Sequence, residues 1–331
     1  MSPGDGHTPI LSLREPMAGR LARLDDPWGI TWRTVNVARR MSARRSARFL
    51  RGLARGVRHE RPVFVLGAPR SGTTLVFELL RASDELGSLP GEGHDIWRTF
   101  HHPRWSRWDS DHVAAHDVRP GEGRVVAARF YAHFDSVRFV EKTPENSLRV
   151  PYLLRLFPDA RFIVVKRDPC DVVSSIINGW RHPNGKYRSY FVPEDLAIPG
   201  YPPRRQWCFA LIKGWRDHRA SPVPEIAFAQ WEQCVRALEA ARGLVPPEHW
   251  TEVCLEDILD EPGESLATIC GAAEVQPEPA LERKLAELIA DPVNALSAPA
   301  EEKWRTHNRA EIEALLPRIA AVVEREASPA R

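Results

Sequence analysis

The segment Gly67-Ala68-Pro69-Arg70-Ser71-Gly72-Thr73-Thr74 carries two glycines five positions apart, a basic residue between them and two threonines after the second. It follows the apolar run Val63-Phe64-Val65-Leu66 and precedes Leu75, Val76, Leu79 and Leu80 at helical spacing. A strand, a tight glycine turn and a helix start, in that order, aim backbone N–H groups and a helix dipole at an anion. The phosphate loop of nucleotide hydrolases has four residues between its glycines, then Lys, then Ser or Thr. Here the glycine spacing and Thr74 match. Thr73 stands where the Lys would be, and the basic residue, Arg70, comes earlier. The loop suits phosphate without the usual grip on a magnesium nucleoside triphosphate.

Two further apolar runs end in residues of the same chemistry. Phe139-Val140 leads into Glu141-Lys142-Thr143-Pro144. Phe162-Ile163-Val164-Val165 leads into Lys166-Arg167-Asp168-Pro169, with Ser175 eight residues beyond Arg167. In open α/β sheets, ligands bind beyond the carboxyl ends of the strands. Arg70, Ser71, Thr73 and Thr74 on one strand end, Lys142 on the next and Arg167 with Ser175 on the third fit a ligand with two separated anionic groups.

The elements that must hold these residues follow from the pattern. Strands alternating with helices predict a parallel, doubly wound sheet. A helix is predicted over about residues 30–60, another around Tyr152, Leu153 and Leu156 stopping near Phe157-Pro158-Asp159, and another over Asp171–Trp180. Ser88 to Gly123 reads as loop-rich and carries Trp97, Phe100, Trp105 and Trp108. Arg181 to Pro203 reads as a long loop of the kind that forms lids or substrate-binding segments. Helices near Trp207–Arg219 and Ala229–Arg242, a late strand over Trp250–Leu255 and further helices complete the chain. The expected division is an N-terminal arm and basic helical extension over 1–60 and one α/β domain over 61–331.

The 331 residues are 43% hydrophobic and 27% charged, ordinary for a globular protein. No apolar run approaches the roughly 18 residues that span a bilayer, and the N-terminus lacks a charged-then-apolar leader pattern. Cys170, Cys208, Cys234, Cys254 and Cys270 show no paired or CxxC spacing. They read as reduced thiols of a cytoplasmic protein. Charge is uneven: Trp28 to Arg61 holds ten Arg and a single acid, Glu60, net +9, which leaves −7 elsewhere. Phe49, Leu50, Leu53 and Val57 at helical spacing give that basic segment a packing face. A peripheral membrane contact is its alternative use, and nucleic acid is not expected as a partner.

The segment VFVLGAPRSGTTL resembles the 5′-phosphosulfate loop of the sulfotransferases that use 3′-phosphoadenosine 5′-phosphosulfate (PAPS). FVEKTPENSLRVPYLLRLFPDARFIVVKRDPCDVVSS resembles the central region of that family, including its 3′-phosphate motif, and VCLEDILDEP its late strand and turn. Lys303-Trp304-Arg305 is similar to a C-terminal cofactor-side loop. The resemblance spans roughly residues 62–320 and is nearest the bacterial and tyrosyl-protein branches. It implies a three-layer αβα fold of the P-loop type with a central parallel sheet.

It also implies roles. Arg70, Ser71, Gly72, Thr73 and Thr74 would cradle the 5′-phosphosulfate. Arg167 and Ser175 would hold the 3′-phosphate, and Lys303 would add a cofactor contact. Arg70 and Lys142 would stabilise charge in the transfer, with no metal. The base would be Glu92, in Pro90-Gly91-Glu92-Gly93-His94, or else His94. Cys254 and Leu255 depart from the family's late strand and read as core variation. Gly179 and Trp180 stand where the tyrosyl-protein branch has a further basic residue, for which Arg181 is the nearest substitute. The acceptor, a small molecule, glycan, lipid or peptide, is not readable, although Tyr187, Tyr190, Phe191 and Tyr201 with the tryptophans can line an aromatic pocket. A P-loop kinase or hydrolase, or a binding protein without turnover, are the competing readings. His112 and His116 give a metal hydrolase little support.

Overall fold

The computed structural model describes residues 27–134, 136–293 and 302–327. Its centre is a five-stranded parallel sheet built from β1 (Val63–Leu66), β2 (Gly87–Ser88), β3 (Phe139–Glu141), β4 (Arg161–Lys166) and the last described strand, β7 (Trp250–Cys254). The strand order is β2-β3-β1-β4-β7. β1 lies centrally, with Val63 opposite Val140 of β3 and Phe64 opposite Phe162 of β4. All four β1 residues are buried, as a parallel strand covered on both faces requires. Between β4 and β7 the chain forms an antiparallel hairpin, β5 (Arg188–Leu196) and β6 (Arg204–Cys208).

The helices are α1 (Pro27–Arg39), α2 (Ala43–Arg55), α3 (Thr73–Leu80), α4 (His94–His101), α5 (Glu122–Phe134), α6 (Val150–Leu156) and α7 (Pro169–Arg181). After the hairpin come α8 (Val223–Arg242), α9 (Leu255–Asp260), α10 (Pro262–Ala273), α11 (Pro279–Ala290), α12 (Trp304–His307) and α13 (Arg309–Ala327). Alternate sheet residues face opposite layers. Phe64, Leu66, Phe139, Phe162 and Val164 pack with side chains of α4, α5 and α6. Val63, Val65, Val140, Ile163 and Val165 pack with α3, α10 and α11. A third buried cluster joins α7, the hairpin, α8 and α13. The result is the three-layer αβα arrangement with a parallel sheet, and none of the described helices is long and apolar enough to cross a membrane.

Several local expectations are corrected. The helix expected over 30–60 is two helices, because Ser42 caps a new start at α2. Phe49 and Gly52 of α2 dock on α5, where a side chain at Gly52 would press the Tyr131 ring at 3.1 Å. Residues 1–26 of the expected arm lie outside the described residues. Ser88 to Gly123 contains a true helix, α4, whose Ile96, Trp97 and Phe100 are core. The long loop from Arg181 is largely the β5–β6 hairpin, with Tyr190, Val192 and Leu196 inward. Pro193 obscures that alternation, and it sits at an irregular stretch of the pairing, where the missing N–H does least harm. Trp207–Arg219 holds no α-helix, only a 3-10 turn over Trp215–His218. Trp207 and Cys208 end β6, and Phe209 (φ 59°) and Gly214 (φ 70°) turn the chain instead.

Candidate active site

The glycine loop leaves β1 under tight constraint. The Gly67 N–H donates to Ser147 Oγ (3.0 Å), and that hydroxyl donates back to the Gly67 carbonyl (2.8 Å). A Cβ at Gly67 would run into Ser71 Oγ and lie 2.7 Å from the Val165 carbonyl, so only glycine fits. Arg70 adopts φ 75°, a left-handed conformation that costs a non-glycine residue about 1–2 kcal/mol. Gly72 (φ 101°) is the N-cap of α3 and brings no side-chain cap to the first N–H groups of that helix. Those donors, orphaned at any helix start, open into a cleft of about 1050 Å³ at the carboxyl end of the sheet.

Cations converge on one side of this cleft. Arg70 Nε donates to Ser175 Oγ (3.2 Å), and its guanidinium lies 4.9 Å from the centre of the Tyr187 ring. Arg167 Nη1 donates to the Arg70 carbonyl (3.3 Å), and Nη2 lies 3.7 Å from Asp171 Oδ2. Asp171 also accepts the Trp304 N–H (3.0 Å), which ties the start of α12, and with it Lys303, to α7. Burial lowers the Arg70 pKa, with the Tyr187 hydroxyl opposing and the Arg167 charge adding to the shift. Burial and then the Arg167 charge lower that of Lys303, against Asp171. Like charges held this close destabilise one another until an anion joins them.

The other side is a chain of alternating charges. Lys142, 5% exposed, places Nζ 2.5 Å from Glu92 Oε1. Glu92 Oε2 lies 2.7 Å from His94 Nε2, and His94 Nδ1 lies 3.2 Å from Glu145 Oε2. Glu145 Oε1 accepts from Arg98 at 3.0 Å. Burial works against the Glu92 charge, but the hydrogen bond from His94 and the Lys142 charge hold its carboxyl below the ordinary range. Burial also works against a charged His94, yet Glu145 and Glu92 push its pKa up to about 10. The strand end explains how this loop is held. Gly93 N–H donates to Thr143 Oγ1 (2.8 Å) and Glu141 Oε1 (3.2 Å), and Asn146 Nδ2 donates to Glu141 Oε2 (2.7 Å). A Cβ at Gly93 would fall 2.8 Å from Glu141 Oε1. Glu141-Lys142-Thr143 therefore grips Glu92 and Gly93 from three consecutive positions.

Residues 62–201 match the model of the sulfotransferase family. Over this segment, less than half of the chain, the sequence is similar to that family. Among curated proteins it is similar to nodulation protein NoeE of Sinorhizobium fredii, 25% identical over 234 residues, covering 65% of this chain and 50% of that one. It is also similar to an uncharacterized protein of Aquifex aeolicus, 33% identical over 135 residues, covering 37% of this chain and 17% of that one. The chain thus spans half the length of the first relative and a smaller part of the second. Among solved structures it is similar to sulfotransferase STF9 from Mycobacterium avium, with a TM-score of 0.56 and 18% identity over 90% of this chain and 86% of that one. That likeness concerns the fold.

The cleft gathers Arg70, Gly72, Thr73, Thr74, Glu92, His94, Lys142, Arg167, Ser175 and Lys303 in its lining. Ser71 is the exception. Its side chain is 2% exposed beneath the loop, its Oγ has no hydrogen-bond partner, and its N–H is used by the Ala68 carbonyl. Arg181 does not stand in for a further cleft cation; it bonds Asn308 and Glu311. Gly179 is glycine for packing, since a Cβ there would overlap the Phe209 ring that stacks on Tyr187. Leu255 is not core variation: it lines the cleft and presses on Gly72. Trp97 and Tyr190 are buried and Phe191 is 69% exposed, which leaves Tyr187 as the hairpin aromatic at the cleft. His112 faces Gln233 and His116 faces solvent, and no metal-ligating cluster occurs among the described residues. Sequence reading placed Tyr187 among the pocket aromatics but missed Arg98, Glu145 and Lys186 as cleft residues. Glu145 directly follows Pro144, and Arg98 sits one helical turn after His94, but neither spacing matches a catalytic motif.

Proposed function

We propose that this protein transfers a sulfuryl group from PAPS to a hydroxyl or amine of an acceptor by in-line displacement. The observation that carries the reading is the gathering of Arg70, Arg167 and Lys303 around an uncapped helix start, with a carboxylate, Glu92, across the cleft. The residues fit such a donor. Two anionic groups would relieve the mutual repulsion of Arg167 with Arg70 and Lys303. The donor supplies an activated sulfur–oxygen bond. Transfer forms a bond from the acceptor oxygen to sulfur, breaks the bond from sulfur to the 5′-phosphate oxygen, and moves the acceptor proton to the base.

In this reading Arg70, Gly72, Thr73 and Thr74 hold the 5′ end, and Arg167, Ser175 and Lys303 hold the 3′-phosphate. Arg70 and Lys142 stabilise charge on the transferring and leaving oxygens, a task of positioning and electrostatics. Glu92 is the base and His94 its hydrogen-bonded support. A kinase or hydrolase reading lacks the Lys after Gly72, and the strand ends offer Lys142 and Arg167 where it needs an acidic magnesium ligand.

The test is calorimetric titration with 3′-phosphoadenosine 5′-phosphate beside ATP with magnesium. Tight binding of the first and weak binding of the second is expected; the reverse would discard the reading.

The division at residue 60 is proposed as one of use. Arg44, Arg51 and Arg55 lie exposed on α2 beside Leu50, which is 55% exposed, and these arginines form no ion pair among the described residues. Such a face suits an anionic lipid surface. Sedimentation with phosphatidylserine vesicles at low salt, lost in the triple Arg→Glu variant, is the expected outcome. The five free cysteines, four of them buried, support a reducing compartment, and we place the protein in the cytoplasm on that basis.

A further inference from the structure

We propose that Glu145 is a positioning residue: from beneath the cleft it fixes His94 as a cation between two carboxylates, so that His94 anchors Glu92 and does not itself serve as the base. The inference rests on the sulfuryl-transfer reading above and deepens it.

The geometry is that of one ring between two acids. A neutral imidazole carries one N–H and one acceptor nitrogen. His94 has a carboxylate oxygen on each side, Glu92 Oε2 hydrogen-bonded at 2.7 Å from Nε2 and Glu145 Oε2 in an ion pair 3.2 Å from Nδ1. Only the imidazolium can offer a proton to both. Glu145 suits this task because it cannot leave. It lies on the tight turn Pro144–Leu148 directly after β3, it is 2% exposed, and its second oxygen is held by Arg98. His94 and Arg98 are four residues apart on α4, so the helix presents both cations to the same acid.

The charged groups facing His94 are Glu92 from its own loop, Glu145 from the turn after β3, Arg98 from α4 and, more distantly, the buried Glu141 from β3. Burial and then Arg98 oppose the charge, and the carboxylates outweigh both. Each Glu92 oxygen then has its own function. Oε2 stays on His94, and Oε1, now 2.5 Å from Lys142, is the oxygen that receives the acceptor proton once Lys142 turns to the sulfuryl group. A His94 already carrying both protons has no lone pair with which to compete.

The experiment is a proton titration of His94 by imidazole ¹³C and ¹⁵N resonances in the full chain, in wild type and in Glu145→Gln. The wild-type midpoint is expected near 10 and the variant midpoint near the ordinary histidine value of about 6.5. With PAPS and an acceptor, Glu145→Gln should then lose about tenfold or more in kcat as pH rises through that new midpoint, with little change in KM for the donor. An ordinary midpoint in wild type would overturn the proposal without any variant having to fold. An unmoved midpoint in Glu145→Gln would overturn it as well. Because the titration needs no turnover, a high His94 midpoint in a protein that binds no 3′-phosphoadenosine 5′-phosphate would sustain the clamp and remove the sulfuryl-transfer reading.

Discussion

Replacing Arg167 with Ala should remove a specific preference and leave the fold. Its guanidinium is 14% exposed at the end of β4, 3.3 Å from the Arg70 carbonyl and 3.7 Å from Asp171. Neither contact is short, and a guanidinium has five N–H donors, so most of its capacity is available to an anion. A hydrogen bond to a charged group contributes about 1.5–3 kcal/mol. Ser175 and Lys303 would remain to hold part of a 3′-phosphate, which places the net loss at about 2–3 kcal/mol. At 1.4 kcal/mol per decade this is a roughly 30- to 150-fold weaker Kd for 3′-phosphoadenosine 5′-phosphate. Arg167→Lys keeps the charge without the planar fork and should lose about tenfold. Adenosine 5′-phosphate, lacking the 3′ group, should bind wild type and both variants within about twofold. The assay is parallel calorimetric titration of both nucleotides, with thermal melts as a control for folding. An equal loss for both nucleotides would refute the reasoning, because it would place Arg167 at the 5′ end or in the scaffold.

Three other outcomes are expected. Gly93→Ala puts a methyl group 2.8 Å from Glu141 Oε1 and 3.1 Å from Trp97 Nε1; by analogy with overpacked cores it should cost about 1–3 kcal/mol in denaturant melts and displace Glu92, so turnover should fall more than nucleotide affinity. Ser71→Ala removes a buried, unpartnered hydroxyl, so nucleotide Kd should stay within about twofold and stability should not fall. His94→Gln should reveal a pH window. The folded-state pKa of His94 lies above its unfolded value, so its contribution is complete below about pH 6.5 and is lost as pH rises through about 10. The carboxylates that hold it are themselves depressed and support it only above their unfolded range near 4.5. The Tm difference between wild type and variant should therefore be largest near pH 5–6.5 and close by pH 10.

The parts of the site that sequence reveals are those written into short contiguous runs. Gly67 to Thr74 follows four buried strand residues and starts a helix, and Arg167 closes another buried strand; hydrophobic runs and glycine spacing locate both. Ser175 required only the helical period to bring it to Arg70. Ser71 failed because motif spacing does not say which way a side chain turns in a loop with Arg70 in the left-handed region. Glu145 and Arg98 were hidden because their pairing depends on how α4 lies against the turn after β3. The hairpin was hidden by Pro193 and a shifted register. Gly179 could not be interpreted without Phe209, thirty residues away and across a turn.

The position of Lys142 connects these observations. A lysine is a compact charge on a flexible stem, able to change partners where an arginine fork would stay fixed. In the cleft as described it neutralises Glu92, which with His94 keeps that carboxylate below its ordinary range and so a poor base. On the proposed reading, the arriving donor brings anionic oxygens that compete for Lys142. As Lys142 turns to them, one of the two groups depressing Glu92 is withdrawn, and its affinity for a proton rises. The other group, His94, remains because Glu145 holds it. The base is then strengthened and kept in register by the same event that loads the donor.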